Sequence, residues 1–404
     1  MAGHLNDDGA HHMVTTLITD IGLLVTGDPA APLRHDTQLV IEDGVVAAVG
    51  EDATAPDRVL SAGGMSVMPG LVDGHVHPTF GEWTPAQNSI GWLHNYLHGG
   101  TTSMVSAGEL HLPGLPMDAL SPELVTSLAV TSLHTTARVR QSGVKMTAGT
   151  VLLTSGMSEA HFDRLAAAGA SQAKFIFYDW SHLDSGEPMT YLDWAHERGI
   201  TVKMHSGGVS RSGSSRVAGH ELVSAVRPDV VAHISGGPIP MPDEEIRQTI
   251  DDLPGAIEVC SSMNYRATQV AVDRLTERSE LHRLTLGTDT PGGTGVIPRG
   301  MLRNVLYLAS VCGVDPVLAV AAATSSTAAA HGLRTGVLAP GWPADLLVLG
   351  PITGSRATDV LECFRLGDLP GIAAVFVDGE PVVLGRSEQT PPPRQRLEHR
   401  LVRS

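Results

Sequence analysis

Six side chains in this sequence have the types and positions to bind and activate something: His75 and His77 in GLVDGHVH, Lys174 in AKFIFYD, His205 in ITVKMHSGG, His233 in VVAHISGGP and Asp289 in LTLGTDT. Imidazoles with one carboxylate and one amine make a nitrogen and oxygen donor set. Such a set suits Zn²⁺, and equally Fe²⁺, Mn²⁺ or Co²⁺. Thiolate is no part of it, because Cys260, Cys312 and Cys363 are far apart and form no CxxC pair. That spacing excludes a disulfide framework and a zinc-thiolate centre and suits a reducing cytoplasm.

Each of these residues lies in or closes a short apolar run, as a strand that presents a side chain at its end must. In His-x-His the two imidazoles share one face, because side chains on a strand alternate with period two. From His77 to Lys174, His205, His233 and Asp289 the successive spacings are 97, 31, 28 and 56 residues. A (β/α)₈ barrel averages about 31 residues per unit, so these positions fall on strands 1, 4, 5, 6 and 8. Helix-patterned stretches such as EAHFDRLAAAG and MTYLDWAHERG lie between the apolar runs. The expected fold is therefore α/β, a TIM-type (β/α)₈ barrel over residues 67–336. An open doubly wound sheet is less well supported, since no GxGxxG follows the first strand.

Each residue alone has a blander reading. Among 19 histidines a chance His-x-His is unremarkable, a His beside a Gly pair often packs a loop, and an Asp before Thr-Pro often caps a turn. It is their joint register with the barrel that favours a metal site. Lysine occurs only at 145, 174 and 203. Inside an apolar strand, burial lowers the pKa of an ammonium. A neutral Lys174 amine can add CO₂ to form a carbamate, whose two oxygens bridge two ions. Lys203 is the rival, because it shares a face with His205, but Lys174 supplies a strand that otherwise has no ligand.

Outside the barrel, residues 15–66 and 337–386 share a strand, turn, strand texture with Asp-Gly turns, Asp43-Gly44 and Asp378-Gly379. Two β-rich ends flanking one middle would each leave open edges unless they met. They are expected to form one small composite β-sandwich domain. Residues 1–14 read as a polar tail and 387–404 as a surface arm. No secretory signal or apolar run of membrane-spanning length is visible. With 27 Lys+Arg against 43 Asp+Glu, the net charge is −16. That acid excess argues against nucleic acid as a partner and leaves a small-molecule substrate.

The segments GLVDGHVH, Lys174 in its strand, MHSGG, AHISGGP and LGTDT, with PGWPADLLVL near the end, resemble the amidohydrolase superfamily. TTSMVSAGELHLPG, GTDTPGGTGVIPRGMLR and RLGDLPGI are similar to the enamidase-like cyclic amide hydrolases within it. The resemblance implies two divalent ions per chain, zinc or an iron and zinc mixture. His75, His77 and Asp289 would hold one, His205 and His233 the other, with carboxylated Lys174 between. A hydroxide bridging the ions would attack a cyclic amide or lactam carbonyl, with Asp289 as proton shuttle. Homo-oligomers, dimers or tetramers, are common among such barrels. For the substrate, Glu109 and His111 follow the second strand, and an acidic group would need a cation, for which Lys145 and Arg266 rank ahead of Arg299. A deaminase, decarboxylase, imidazolone-type hydrolase or peptidase of the same superfamily is the alternative. A non-enzymatic scaffold would be expected to have lost ligands, and none is missing.

Overall fold

A computed structural model describes residues 14–77, 92–108, 115–116, 119–137, 143–208, 218–236, 239–261, 264–292 and 294–402. Glu109 and His111 lie outside the described residues.

The N-terminal strands are β1 (Thr15–Val25), β2 (Leu33–Glu42), β3 (Val45–Val49), β4 (Arg58–Ser61) and β5 (Ser66–Pro69). The barrel strands follow as β6 (Leu71–Val76), β7 (Thr101–Ser106), β8 (Lys145–Thr147), β9 (Val151–Leu152), β10 (Gln172–Phe175), β11 (Thr201–His205), β12 (Val230–Ala232), β13 (Ala256–Cys260) and β14 (Leu284–Gly287). The chain returns through β15 (Leu346–Gly350), β16 (Gly371–Val377), β17 (Glu380–Leu384) and β18 (Glu398–Leu401).

Both chain ends meet in one nine-stranded sheet, ordered β17-β16-β15-β5-β1-β2-β3, with β4 pairing β1 and β18 pairing β4. The join is antiparallel, Leu347 opposite Met68 and Val348 opposite Val67. Ile18, Leu39, Ile41, Val67, Val348 and Phe376 share a separate apolar core, so the two halves of the sheet close over each other. Both Asp-Gly turns are left-handed at both residues, Asp43 and Gly44 at φ 46° and 83°, Asp378 and Gly379 at 48° and 73°. This is the geometry that lets a two-residue hairpin follow the strand twist. The two turns also abut, for a Cβ on Gly379 would lie 2.8 Å from Gly44 Cα. The C-terminal segment is more than a surface arm. Ser387 and Thr390 are buried, and Glu398–Leu401 pairs with β4.

The barrel strands are parallel and buried on both faces, hence their near-continuous apolar composition. They form the runs β6-β7-β8 and β9-β10-β11-β12-β13-β14. The ring closes between β14 and β6, where Asp289 N donates to His75 O (2.8 Å) and His77 N to Thr290 O (2.7 Å). Eight strands were expected, and the third is broken into β8, which pairs with β7, and β9, which pairs with β10. The break falls at Gly149, whose φ of 77° suits glycine and where a Cβ would strike Leu133. Among the described residues, no helix is long and apolar enough to cross a membrane.

Candidate active site

The C-terminal ends of β6, β10, β11, β12 and β14 bring the six residues together. All six residues are buried, from 0 % exposure at His75 to 8 % at Asp289. The His75 ring lies 5.4 Å from that of His77 and 5.2 Å from that of His233, and His233 lies 4.4 Å from His205. Lys174 Nζ is 3.1 Å from His75 Nε2. Asp289 Oδ1 is 3.2 Å from His77 Nε2 and 3.6 Å from His75 Nε2. His233 and Asp289 both have positive φ, 35° and 59°, unusual for non-glycine residues and frequent where a side chain is aimed for a purpose.

Hydrogen bonds assign the tautomers. His75 Nδ1 is 2.6 Å from Glu258 Oε1, and His77 Nδ1 is 2.7 Å from Gly108 O. A carboxylate and a carbonyl only accept, so both Nδ1 atoms carry a proton. The Nε2 of neutral His75 keeps a lone pair between the Lys174 amine and the Asp289 carboxylate, and the Nε2 of His77 faces the same carboxylate oxygen. On the other side, both ring nitrogens of His205 and Nδ1 of His233 are buried without a side-chain hydrogen-bond partner among the described residues. Buried polar atoms are rarely left so. Cations at these positions would satisfy the buried imidazole nitrogens, and the donor set fits divalent zinc or iron.

Electrostatics agree. Burial, with the charges of Lys174 and Lys203, holds His75 far below the usual histidine range. Burial and His233 do the same to His205, and burial and Lys174 lower His233 to about 4. All three are neutral at pH 7, as ligands must be. Burial lowers Lys174 to about 8 against the pull of Asp289, which leaves a usable fraction of free amine. Burial would raise Asp289, but the imidazoles that surround it outweigh that and hold its carboxyl well below the usual carboxylate range, so it stays ionised.

Lys203 is not a ligand candidate. It sits opposite Lys174 in the register of β10 and β11, but its Nζ is committed to Glu258 Oε2 (2.8 Å) and Gly74 O (2.5 Å). Lys145 requires a correction. It opens β8, which puts it at the N-terminal end of the barrel, ion-paired to Asp345 (2.8 Å) and Asp378 (2.5 Å) of the β-domain. Arg266, at the start of the helix Tyr265–Glu277, is half exposed with its guanidinium against Asp243, so its charge is already answered. Arg299 has no carboxylate partner among the described residues.

Two functional-looking residues escaped the sequence reading. Asp73 accepts from Thr288 N (2.8 Å), Thr288 Oγ1 (2.5 Å) and His75 N (3.2 Å), tying β6 to the segment that carries Asp289. Its signal was present, since Asp73, His75 and His77 follow a period of two. Glu258 was signalled by a lone charge within the apolar run AIEVC. A second histidine cluster, His94, His98 and Glu388, does not resemble the first. The His98 Nδ1 lone pair already accepts Glu388 N–H (2.9 Å), which puts the proton on Nε2.

A closed parallel barrel with histidines, a lysine and an aspartate at its C-terminal mouth defines a metal-dependent hydrolase. The family model for the amidohydrolase family matches residues 66–382, and the chain belongs to that family. It is 37 % identical to enamidase of Eubacterium barkeri over 388 residues, 95 % of this chain and 99 % of that protein. The crystal structure of enamidase superposes with a TM-score of 0.87 at 36 % identity, covering 96 % of this chain and 100 % of that one. An adenine deaminase of Ruegeria sp. (strain TM1040) is 26 % identical over 336 residues, 78 % of this chain and 50 % of that protein.

Proposed function

We propose that this protein hydrolyses the C–N bond of a cyclic amide, opening a lactam ring at a binuclear centre. His75, His77 and Asp289 would hold one divalent ion and His205 and His233 the other, and Lys174, as a carbamate, would supply a shared oxygen ligand. The observation that carries this reading is the convergence of the His75 and His77 Nε2 atoms and the Asp289 carboxylate on one point, beside a second pair of buried imidazoles whose free nitrogens have no side-chain partner among the described residues. The likeness to enamidase over nearly the whole length of both chains supports the cyclic substrate.

When bound, the ions supply Lewis acidity, polarising the scissile carbonyl and lowering the pKa of water toward neutrality. Asp289, held ionised, accepts the proton of the attacking water and delivers it to the ring nitrogen as the C–N bond breaks. Neutral His75, His205 and His233 keep their lone pairs for ligation. Asp73 fixes the approach of the β14 end to β6 and so the aim of Asp289.

The chain with its full metal complement, assayed against lactams, cyclic imides and hydropyridones, should open at least one ring. Metal-loaded protein that leaves every ring intact but releases ammonia from aminopurines would instead make it a deaminase. The unpaired thiols of Cys260, Cys312 and Cys363 are in keeping with a cytoplasmic location. A homo-oligomeric state is part of the proposal and is read by light scattering.

A further inference from the structure

The two halves of the site differ in what stands behind them. Behind His75, Glu258 accepts the Nδ1 proton with one oxygen at 2.6 Å and meets Lys203 Nζ with the other at 2.8 Å. All three side chains are buried, Glu258 and His75 completely and Lys203 to within 2 %. Lys203 is held in turn by Gly74 O, on the strand that carries His75. Glu258 Oε1 also receives His233 N (3.3 Å) and the Cys260 thiol (3.7 Å), so the carboxylate has little freedom to turn. His77 is likewise backed, by Gly108 O. Behind His205 no carboxylate stands among the described residues, and there neither its nitrogens nor the Nδ1 of His233 has a side-chain hydrogen-bond partner.

A carboxylate behind a ligating imidazole fixes tautomer and ring orientation and strengthens the donor nitrogen. Losing such a partner costs about 10- to 100-fold in metal affinity. A buried carboxylate can do this only if its own charge is balanced, and Lys203 balances it. We propose that the Glu258–Lys203 pair is a positioning device that makes the two metal positions unequal. The ion at His75, His77 and Asp289 is held tightly, and the ion at His205 and His233 exchanges. The chain accordingly passes through a stable one-metal state with the His75 position filled. This inference rests on the binuclear reading above and adds an order of occupancy to it.

The test is stepwise removal of zinc from the full chain by a chelator of graded concentration, with bound metal counted at each step. Wild-type protein should release one equivalent first and retain the other to at least tenfold higher chelator. H205A should lack the loosely held equivalent and keep the tight one, which assigns the ions to the two halves. K203M alone would strand a buried carboxylate and risks failing to fold. The paired substitution E258Q/K203M removes both charges together at nearly constant volume, with circular dichroism and Tm verifying the fold. In it the tight equivalent should weaken about 10- to 100-fold and leave with the loose one. Simultaneous release of both ions from the wild type would overturn the inference, as would loss of the tight ion in H205A or an unchanged tight ion in folded E258Q/K203M. A wild-type chain that takes up no divalent metal would sink the binuclear reading itself, and this inference with it.

Discussion

The two ends of the barrel use the same residue types to opposite effect. At the N-terminal end, Lys145 meets Asp345 and Asp378, and Asp345 also accepts from Thr335 Oγ1 (2.8 Å) and Asp378 N (2.9 Å). Every charge there is answered, and the result is a joint between barrel and β-domain. At the C-terminal end, Lys174 and Asp289 stand among buried imidazoles, of which His205 has no side-chain hydrogen-bond partner among the described residues. A lysine and an aspartate therefore mark a seam where they pair with opposite charges. Where they converge with neutral imidazoles they mark a site.

The difference yields measurable contrasts, strongest at the mouth. D289N should keep the fold but lose about 10²–10⁴-fold in turnover, because an amide cannot carry the proton to the leaving nitrogen. Normal turnover in that variant would remove Asp289 from the chemistry. K174M should bind one ion fewer and lose about 10²-fold or more, the scale set by several kcal/mol of Lewis-acid stabilisation. In wild-type protein stripped of metal and CO₂, reactivation at fixed dissolved CO₂ depends on the free amine. With Lys174 at about 8, its rate should rise roughly tenfold per pH unit below that value and level off above it. A pH-independent rate would argue for another bridge.

At the opposite end the readout changes from activity to stability. K145M should leave kcat/KM unaltered and destabilise the protein by about 1–3 kcal/mol in urea unfolding, since Asp345 stays buried but keeps two hydrogen-bond donors. A fall in kcat/KM at unchanged stability would return Lys145 to the substrate site. The contrast furthest from the chemistry concerns His331, buried beneath the site with Nδ1 on Gln172 Oε1 at 2.9 Å. Burial, aided by the charge of Lys203, lowers it from 6.5 to about 3, so unfolding takes up a proton between those values. Its contribution is intact above pH 6.5 and is lost as the pH falls toward 3. H331Q should flatten the pH dependence of unfolding in that window by up to about 1.4 kcal/mol per pH unit.

Much of the site was legible because a barrel is periodic. Once His77, Lys174, His205, His233 and Asp289 fell at multiples of one repeat, their strands followed without any contact being known. Lys145 shows where the method stops. Periodicity names the strand, but a three-residue strand reads the same from either end. The break between β8 and β9 hides inside a single apolar run, and only the change of pairing partner reveals it. Glu258 and Lys203 were visible as charges in apolar strands, yet Lys203 looked like a ligand until its partner two strands away was known.

What the sequence determined by itself is the inventory and its period: four imidazoles, one amine and one carboxylate at strand-end spacings, with two β-rich termini that had to meet. These follow from local rules of alternation, turn chemistry and repeat length. Only the tertiary structure decided which polar atoms are answered and which are left over, since Glu258 lies 183 residues from the imidazole it backs. Satisfaction of a buried donor or acceptor is a property of closed three-dimensional contacts, and closure of the ring is what places the unanswered ones together.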